Sequence, residues 1–330
     1  MGGGGAAFPN MTLPPEFALI ARHFRPLAGA GALDLSDDAA LLDPPAGRQL
    51  VLAADAMVAG VHFLPDDPPD TIGRKLLRVN LSDLAAMGAA PLGYLMTCAF
   101  PQGTDDAWIA QFVAGLAADQ AEFGLTVLGG DTVGTPGPAT FSLTILGTVE
   151  PGRALRRAGA RPGDEVWVSG TIGDGALGLL SLTGRLPPDP HLAARYRVPA
   201  PRLALGQALS GVARAAMDVS DGLVQDLGHL ARAAGCGAVI EAPSVPLSEP
   251  ASAALAADPA LLPRILSGGD DYELLFAADP ADAGRVLAAA KAAQTPVARI
   301  GRFLDGEGVV VLDAQGAAIP LPRGGWSHFA

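Results

Sequence analysis

The chain has 330 residues, more than one ordinary domain holds, and its 49% hydrophobic and 17% charged side chains are enough for a large core. A net charge of −12 argues against a nucleic-acid surface, which needs a basic face, and fits a protein that holds cations. No apolar run reaches the ~18 residues that a bilayer span needs. Met1 to Ala7 are Gly-rich and lack the basic-then-apolar order of a secretory signal. The expectation is therefore a soluble, cytoplasmic protein with a flexible tail over residues 1–14.

In chain order, Pro15 opens a short helix running to Phe24. Ser36-Asp37-Asp38 then leads into an apolar run, Ala39 to Leu42, read as a strand whose Asp pair is either turn chemistry or a cation site. Gln49 to Asp55 predicts a strand that ends in a carboxylate, and a lone histidine, His62, follows. Next comes the densest stretch, Leu76 to Gly88, predicted as a helix apolar on all sides and hence buried. Asn80 and Asp83 lie one turn apart on it. An ionised carboxylate stays in a core only if it is paired or holds a metal, so Asp83 is either a satisfied ion pair or a ligand.

Leu92 to Phe100 reads as a strand, and Asp105 as the cap of a helix running to Phe123. The Trp108, Ile109, Phe112, Val113 and Leu116 stripe of that helix is core. Leu125 to Leu128 is a short strand running into Gly129-Gly130-Asp131-Thr132, which is either a tight turn or a close approach of backbone to ligand. Thr140 to Val149 alternates as a strand. The basic, Pro- and Gly-punctuated segment that begins at Pro151 places a boundary there, giving domains over 15–150 and 151–330. Its arginines are a solvated linker or a phosphate clamp.

In the second half, strand and helix patterns alternate. A strand ends in Asp218, and Ser220 or Asp221 is expected to cap the next helix. A helix N-terminus there suits an anion, and the flanking acids suit its cation. Gly268-Gly269-Asp270-Asp271 is an acidic turn leading into a strand. Val297 to Phe303 and Gly308 to Leu312 are expected to form a hairpin around Asp305-Gly306. The tail from Gly324 to Phe329 is aromatic. Cys98 and Cys236 read as buried thiols rather than a disulfide or zinc site.

Asp38, Asp55, Asp83, Asp131, Asp218 and Asp221 all fall at strand ends, Gly turns or the buried helix. Hard oxygen donors favour Mg²⁺, which is usually held by a few carboxylates together with substrate phosphates. There is no P-loop, kinase-type Gly-rich loop, serine-hydrolase elbow or His-Glu-x-x-His helix. The residues thus point to a Mg²⁺-dependent, ATP-using enzyme without a P-loop.

The same residues carry a resemblance. Ser36-Asp37-Asp38-Ala39-Ala40, Asp55 through Val61-His62-Phe63, Val79 through Ala89, Gly129-Gly130-Asp131-Thr132 and Arg157 through Asp164 resemble the thiamine-monophosphate kinases. So do Asp218-Val219-Ser220-Asp221-Gly222-Leu223, Gly268 through Leu274 and Gly325-Trp326-Ser327-His328-Phe329. The match runs in order from Phe17 to Phe329. It implies an α/β fold of the aminoimidazole ribonucleotide synthetase type, with an N-terminal mixed sheet joined to its copy across a homodimer and a C-terminal α/β domain. It also implies direct in-line transfer from ATP to thiamine phosphate, the last step in making thiamine diphosphate.

Carried over by position, Asp38, Asp55, Asp83, Asp131, Asp218 and Asp221 would hold several Mg²⁺ ions. Gly130, Asp131, Arg157 and Ser220 would contact ATP, and His62, Asp270 and Trp326 would contact thiamine phosphate. A flat cation suits a carboxylate and an indole face. The chain departs from the family pattern in three places. Asp34-Leu35-Ser36 replaces Gly-Ile-Gly. Ala53 and Ala54 replace hydroxyl residues, leaving Ala54 its main-chain carbonyl as a metal donor. Asp270 stands where Glu is also found. The rival readings are an enzyme of the same superfamily that activates a substrate through an acyl phosphate, and a non-catalytic module that binds Mg²⁺ or nucleotide.

Overall fold

The computed structural model describes residues 15–321 and 325–326. The expected tail over 1–14 and the end of the aromatic tail, 327–329, lie outside them. Among the described residues, ten strands form two mixed sheets, with ten α-helices packed around them. The strands are β1 (Gln49–Val58), β2 (Ala90–Pro101), β3 (Thr126–Thr135), β4 (Thr140–Val149), β5 (Glu165–Ser169), β6 (Ala215–Asp218), β7 (Gly237–Glu241), β8 (Leu274–Ala278), β9 (Val297–Leu304) and β10 (Val309–Leu312). The helices are α1 (Pro15–Leu19), α2 (Pro69–Ala86), α3 (Asp106–Phe123), α4 (Asp174–Leu182), α5 (Pro190–Arg197), α6 (Leu203–Leu209), α7 (Leu223–Ala234), α8 (Glu249–Ala257), α9 (Leu262–Ser267) and α10 (Ala283–Ala292).

The first sheet has the order β1-β4-β2-β3, and only β2 and β3 run parallel. One face is covered by α2, which also packs along α3. The two helices approach closely at Gly115, where a Cβ would stand 2.0 Å from the Asp70 carbonyl. Phe100, Trp108, Phe112 and Phe141 stack in stacked and edge-on pairs between α3 and the sheet, so the expected helical stripe is core. The other face carries Leu50, Leu52, Leu95 and Val133, all exposed, with Leu52 reaching 62%. The described residues leave this apolar sheet face uncovered.

The second sheet has the order β10-β7-β9-β5-β8-β6. Its last two strands in the chain depart from expectation. β9 and β10 are not a hairpin, because β7 lies between them and pairs antiparallel with β9 and parallel with β10. The loop at Asp305-Gly306 therefore crosses over a strand.

Helix α2 links the two halves. It is buried along nearly its whole length because both halves pack on it, through β1, β2 and β4 on one side and α6 and β6 on the other. Arg78 donates to the Pro199 carbonyl at 3.1 Å and forms a bidentate pair with the buried Asp119. Ser82 donates to Asp218 at 2.7 Å. Polar groups in this interior are satisfied, as burial requires: among the described residues no buried side-chain N or O lacks a partner.

Three further local expectations change. Residues 39–42 form no strand, since the Leu41 N–H bonds the Gly31 carbonyl and folds the segment back. Before it, Leu33, Asp34 and Leu35 take left-handed backbone (φ 50, 58 and 53°), a conformation glycine adopts without strain. Gly129-Gly130-Asp131 is not a turn but lies inside β3, paired with Leu95, Met96 and Thr97. Only glycine fits at 130, because a Cβ would stand 1.8 Å from the Met96 carbonyl. Finally, neither Ser220 nor Asp221 caps α7. The N-cap is Gly222, and the Asp226 carboxylate accepts the Asp221 and Gly222 N–H groups at 3.1 Å each.

Candidate active site

A cavity of about 1000 Å³ opens where α2 meets the second half. β1 delivers Ala54 and Asp55 to it, the loop after β1 delivers His62, and α2 delivers Lys75, Val79 and Asp83. These three α2 residues are spaced four apart and so share one helix face. Asn80, expected beside Asp83, does not line the cavity. It is fully buried; its Oδ1 accepts the Asp55 N–H at 3.1 Å and its Nδ2 donates to the Leu76 carbonyl at 2.9 Å. It thus fixes β1 at the point where Asp55 leaves it.

From the second half come Arg157, Asp218, Ser220, Asp221, Asp270, Tyr272 and Trp326. Trp326 is docked: its N–H donates to the Asp221 carbonyl at 2.9 Å. Gln225 donates to both the Trp326 carbonyl, at 2.8 Å, and Asp221 Oδ2, at 3.1 Å. His62 accepts the Val58 N–H at Nδ1 (3.0 Å), which leaves the proton of the neutral ring on Nε2.

Four carboxylates in this cavity feel one another. Burial, then the Asp218 and Asp55 charges, push Asp83 up to about 8, against the opposing pull of Arg157. Burial and Asp221 raise Asp55. Burial raises Asp218 despite its bond from Ser82, and Asp55 adds to the rise. Behind them, burial and the charges of Asp218 and Asp221 lift Asp226 to about 8. This is acid packed against acid, which is stable only if the acids are protonated or share a cation. Among the described residues no three His, Cys, Asp or Glu side chains form a ready-made metal cage. The hard oxygen donors nevertheless fit Mg²⁺, which needs only one or two carboxylates when substrate phosphates supply the rest.

A carboxylate raised in the folded state stabilises the fold below its unfolded value, and that contribution is lost as pH rises through its folded value. For Asp83 and Asp226 the window runs from the ordinary carboxylate range up to about 8. The melting temperature of the metal-free protein is therefore expected to fall as pH is raised through that window, as followed by calorimetry. A flat profile would contradict the repulsion.

Not every expected site residue reaches this cavity. Asp38, Gly130 and Asp131 line a second one of about 420 Å³, walled by Phe24, Leu35, Leu95, Val127 and Leu128 and floored by Cys98. The register explains the separation. Asp55 pairs with Leu143, Leu143 with Met96, and Met96 with Gly130, so Asp55 and Gly130 stand at opposite edges of one row. Three strand spacings, about 14 Å, lie between them. Asp131 pairs with the exposed Thr97 and so belongs to the uncovered face.

Sequence reasoning missed Lys75, Asp226, Gln225 and helices α5, α8 and α9. A lysine within the apolar α2 stretch was a readable signal for Lys75. Asp226 and Gln225 looked like ordinary helix residues until α7 placed them behind Asp221.

Comparison with known proteins agrees with this architecture. Residues 36–149 match the AIR synthase related protein, N-terminal domain, and residues 161–313 the corresponding C-terminal domain, so the chain belongs to the AIR synthase related proteins. A thiamine-monophosphate kinase of Caulobacter vibrioides is 47% identical over 329 residues, spanning 98% of this chain and 93% of that one. A crystal structure of the thiamine-monophosphate kinase from Stenotrophomonas maltophilia superposes with a TM-score of 0.79 at 41% identity, over 86% of this chain and 91% of that one. The structure of AaThiL complexed with AMPPCP and TMP superposes at 0.76 with 31% identity, over 89% and 91%. Within the wider family the chain belongs with the thiamine-monophosphate kinases.

Proposed function

We propose that the protein transfers the γ-phosphoryl group of ATP to the phosphate of thiamine phosphate, giving ADP and thiamine diphosphate. The observation that carries this reading is the larger cavity, whose lining brings four mutually repelling carboxylates together with Arg157, Asp270 and Trp326. Its support from outside the chain is the similarity to AaThiL, whose structure holds AMPPCP and TMP.

In this reading Asp55, Asp83, Asp218, Asp221 and the Ala54 carbonyl would hold Mg²⁺. The ions would supply charge neutralisation between two anionic reactants. Arg157 and Ser220 bind the triphosphate, Arg157 through its forked guanidinium. Asp270 and Trp326 hold the thiazolium, and the His62 Nε2–H donates to the substrate. An oxygen of the thiamine phosphate attacks the γ-phosphorus as its bond to the β-phosphate oxygen breaks. No covalent enzyme intermediate or proton transfer is required.

The smaller cavity, apolar within and edged by Gly130, suits the nucleotide's base, with Asp38 and Asp131 at its mouth. Because it lies across the sheet from Asp55, we place it against the larger cavity of a second copy. The uncovered face with Leu52, Leu95 and Val133 is the apolar surface such a homodimer would bury. In the same reading the two domains divide at 150/151.

The test is ADP release by the purified protein with Mg²⁺ and ATP, with and without thiamine phosphate. Release that depends on thiamine phosphate is expected. Nucleotide binding without turnover would sink the reading. Trp326→Ala is expected to raise the KM for thiamine phosphate about tenfold, the loss of one desolvated cation–π contact, and to leave the KM for ATP nearly unchanged. Equal losses for both would make Trp326 a packing residue.

A further inference from the structure

Lys75 is a buried cation, 2% exposed, on the cavity-lining face of α2. A buried ammonium is costly unless its charge is paired and its protons are bonded. Its Nζ lies 3.1 Å from Asp270 Oδ1 and donates to the His62 carbonyl at 2.9 Å. It also sits 3.8 Å from the centre of the Tyr196 ring, within cation–π range. The three partners come from three separate segments: the loop after β1, helix α5, and the turn before β8.

Two of these partners carry the groups assigned above to thiamine phosphate. Asp270 is also strained. It holds a left-handed backbone (φ 72°), as does Tyr272 two residues on (φ 52°). Such backbone persists only when its surroundings over-determine it. The main chain does part of this, through the Asp270 N–H to the Ser220 carbonyl at 2.9 Å and the Tyr272 N–H to the Val219 carbonyl at 2.8 Å. The side chain is fixed by Lys75 alone among the ion pairs of the described residues.

We propose that Lys75 is the positioning residue of the thiamine phosphate subsite. It draws the Asp270 carboxylate and the His62-bearing loop into one geometry across the joint between the two halves. It engages Oδ1 of Asp270 and leaves Oδ2 as the acceptor for the cationic ligand. Lys75 acts through Asp270 and His62 and does not touch the reacting phosphates. The proposal rests on the thiamine phosphate reading. The two fail separately, since a wild-type protein that does not turn over thiamine phosphate overturns that reading, whatever Lys75 does.

The experiment is steady-state kinetics of Lys75→Met, Asp270→Asn and the double variant in the full-length protein. Lys75→Met is expected to raise the KM for thiamine phosphate about tenfold or more, with the KM for ATP within about twofold and kcat within about threefold. In the Asp270→Asn background the same change is expected to add little, because its target is already gone. Additive losses, or equal rises in both KM values, overturn the proposal. If Lys75→Met does not fold, as judged by thermal melting, Tyr196→Leu replaces it and removes only the ring under the ammonium. A rise of about threefold confined to the thiamine phosphate KM supports the proposal, and no change or a rise shared with ATP overturns it.

Discussion

Asp83→Asn is expected to lower turnover by at least about 10²–10³-fold, the scale on which a preorganised electrostatic contact to a reacting centre acts, and at the same time to raise the melting temperature of the metal-free protein. The two effects have one cause. Asp83 sits with Asp55 and Asp218 in a partly desolvated cavity, where burial and like charge push it up to about 8. Replacing the carboxylate by an isosteric amide removes a group that must take up a proton to fold at neutral pH, and removes the repulsion it exerts on Asp55 and Asp218 when ionised. Stability at neutral pH therefore rises, by the linkage between raised carboxylates and pH. In the proposed reading the amide would be a weaker Mg²⁺ ligand than the carboxylate, and the cation that neutralises the phosphates would bind less well. The check is calorimetry beside kinetics, with Mg²⁺ varied in both. A variant that is less stable and still active would mean that Asp83 is a structural acid, paired in some way this geometry does not contain.

Mixing two dead variants is expected to restore activity. Asp83→Asn removes a group from the larger cavity and Asp131→Asn one from the smaller. The two residues line separate cavities, and the sheet order sets Asp55 of the larger cavity and Gly130 of the smaller one at opposite edges. If each working site takes its large cavity from one copy and its small cavity from the other, a mixed dimer has one doubly damaged site and one intact site. Random reassociation then gives half the dimers mixed, and about a quarter of the wild-type activity returns. Each variant alone stays inactive. If mixing restores nothing while subunit exchange is confirmed by mass, the two cavities do not cooperate across copies, and Asp131 belongs to a separate function of the uncovered sheet face.

Much of this was readable from residue order, for identifiable physical reasons. The strands β1, β2, β4, β5 and β8 and the helices α2 and α3 follow from apolar spacing and from caps such as Asp105, whose carboxylate accepts the Trp108 N–H at 2.6 Å. Such signals are local, so one chain suffices to read them. Asp83 stood out because an acid in so apolar a stretch needs a reason to be there. The identity of the chemistry was carried by runs such as Asp218-Val219-Ser220-Asp221-Gly222, in which acids and glycine recur without a repeat to explain them.

What the order of residues left open was decided by distance. Gly130 looks like a turn glycine, yet it lies within a strand because the neighbouring strand's Met96 carbonyl comes too close for any side chain. Residues 305–308 look like a hairpin, yet β7 enters from seventy residues earlier and takes the place between the two strands. Lys75 reads as one more charge on a helix, and only the fold brings Asp270 and Tyr196, nearly two hundred and over one hundred residues away, onto its ammonium. The residues by themselves determined which acids and aromatics the protein has to work with, since side-chain chemistry and spacing are properties of the sequence. Which of those acids share a cavity, and which lie across a sheet from it, was decided only by tertiary structure, because strand order and helix packing are set by contacts between segments far apart in the chain.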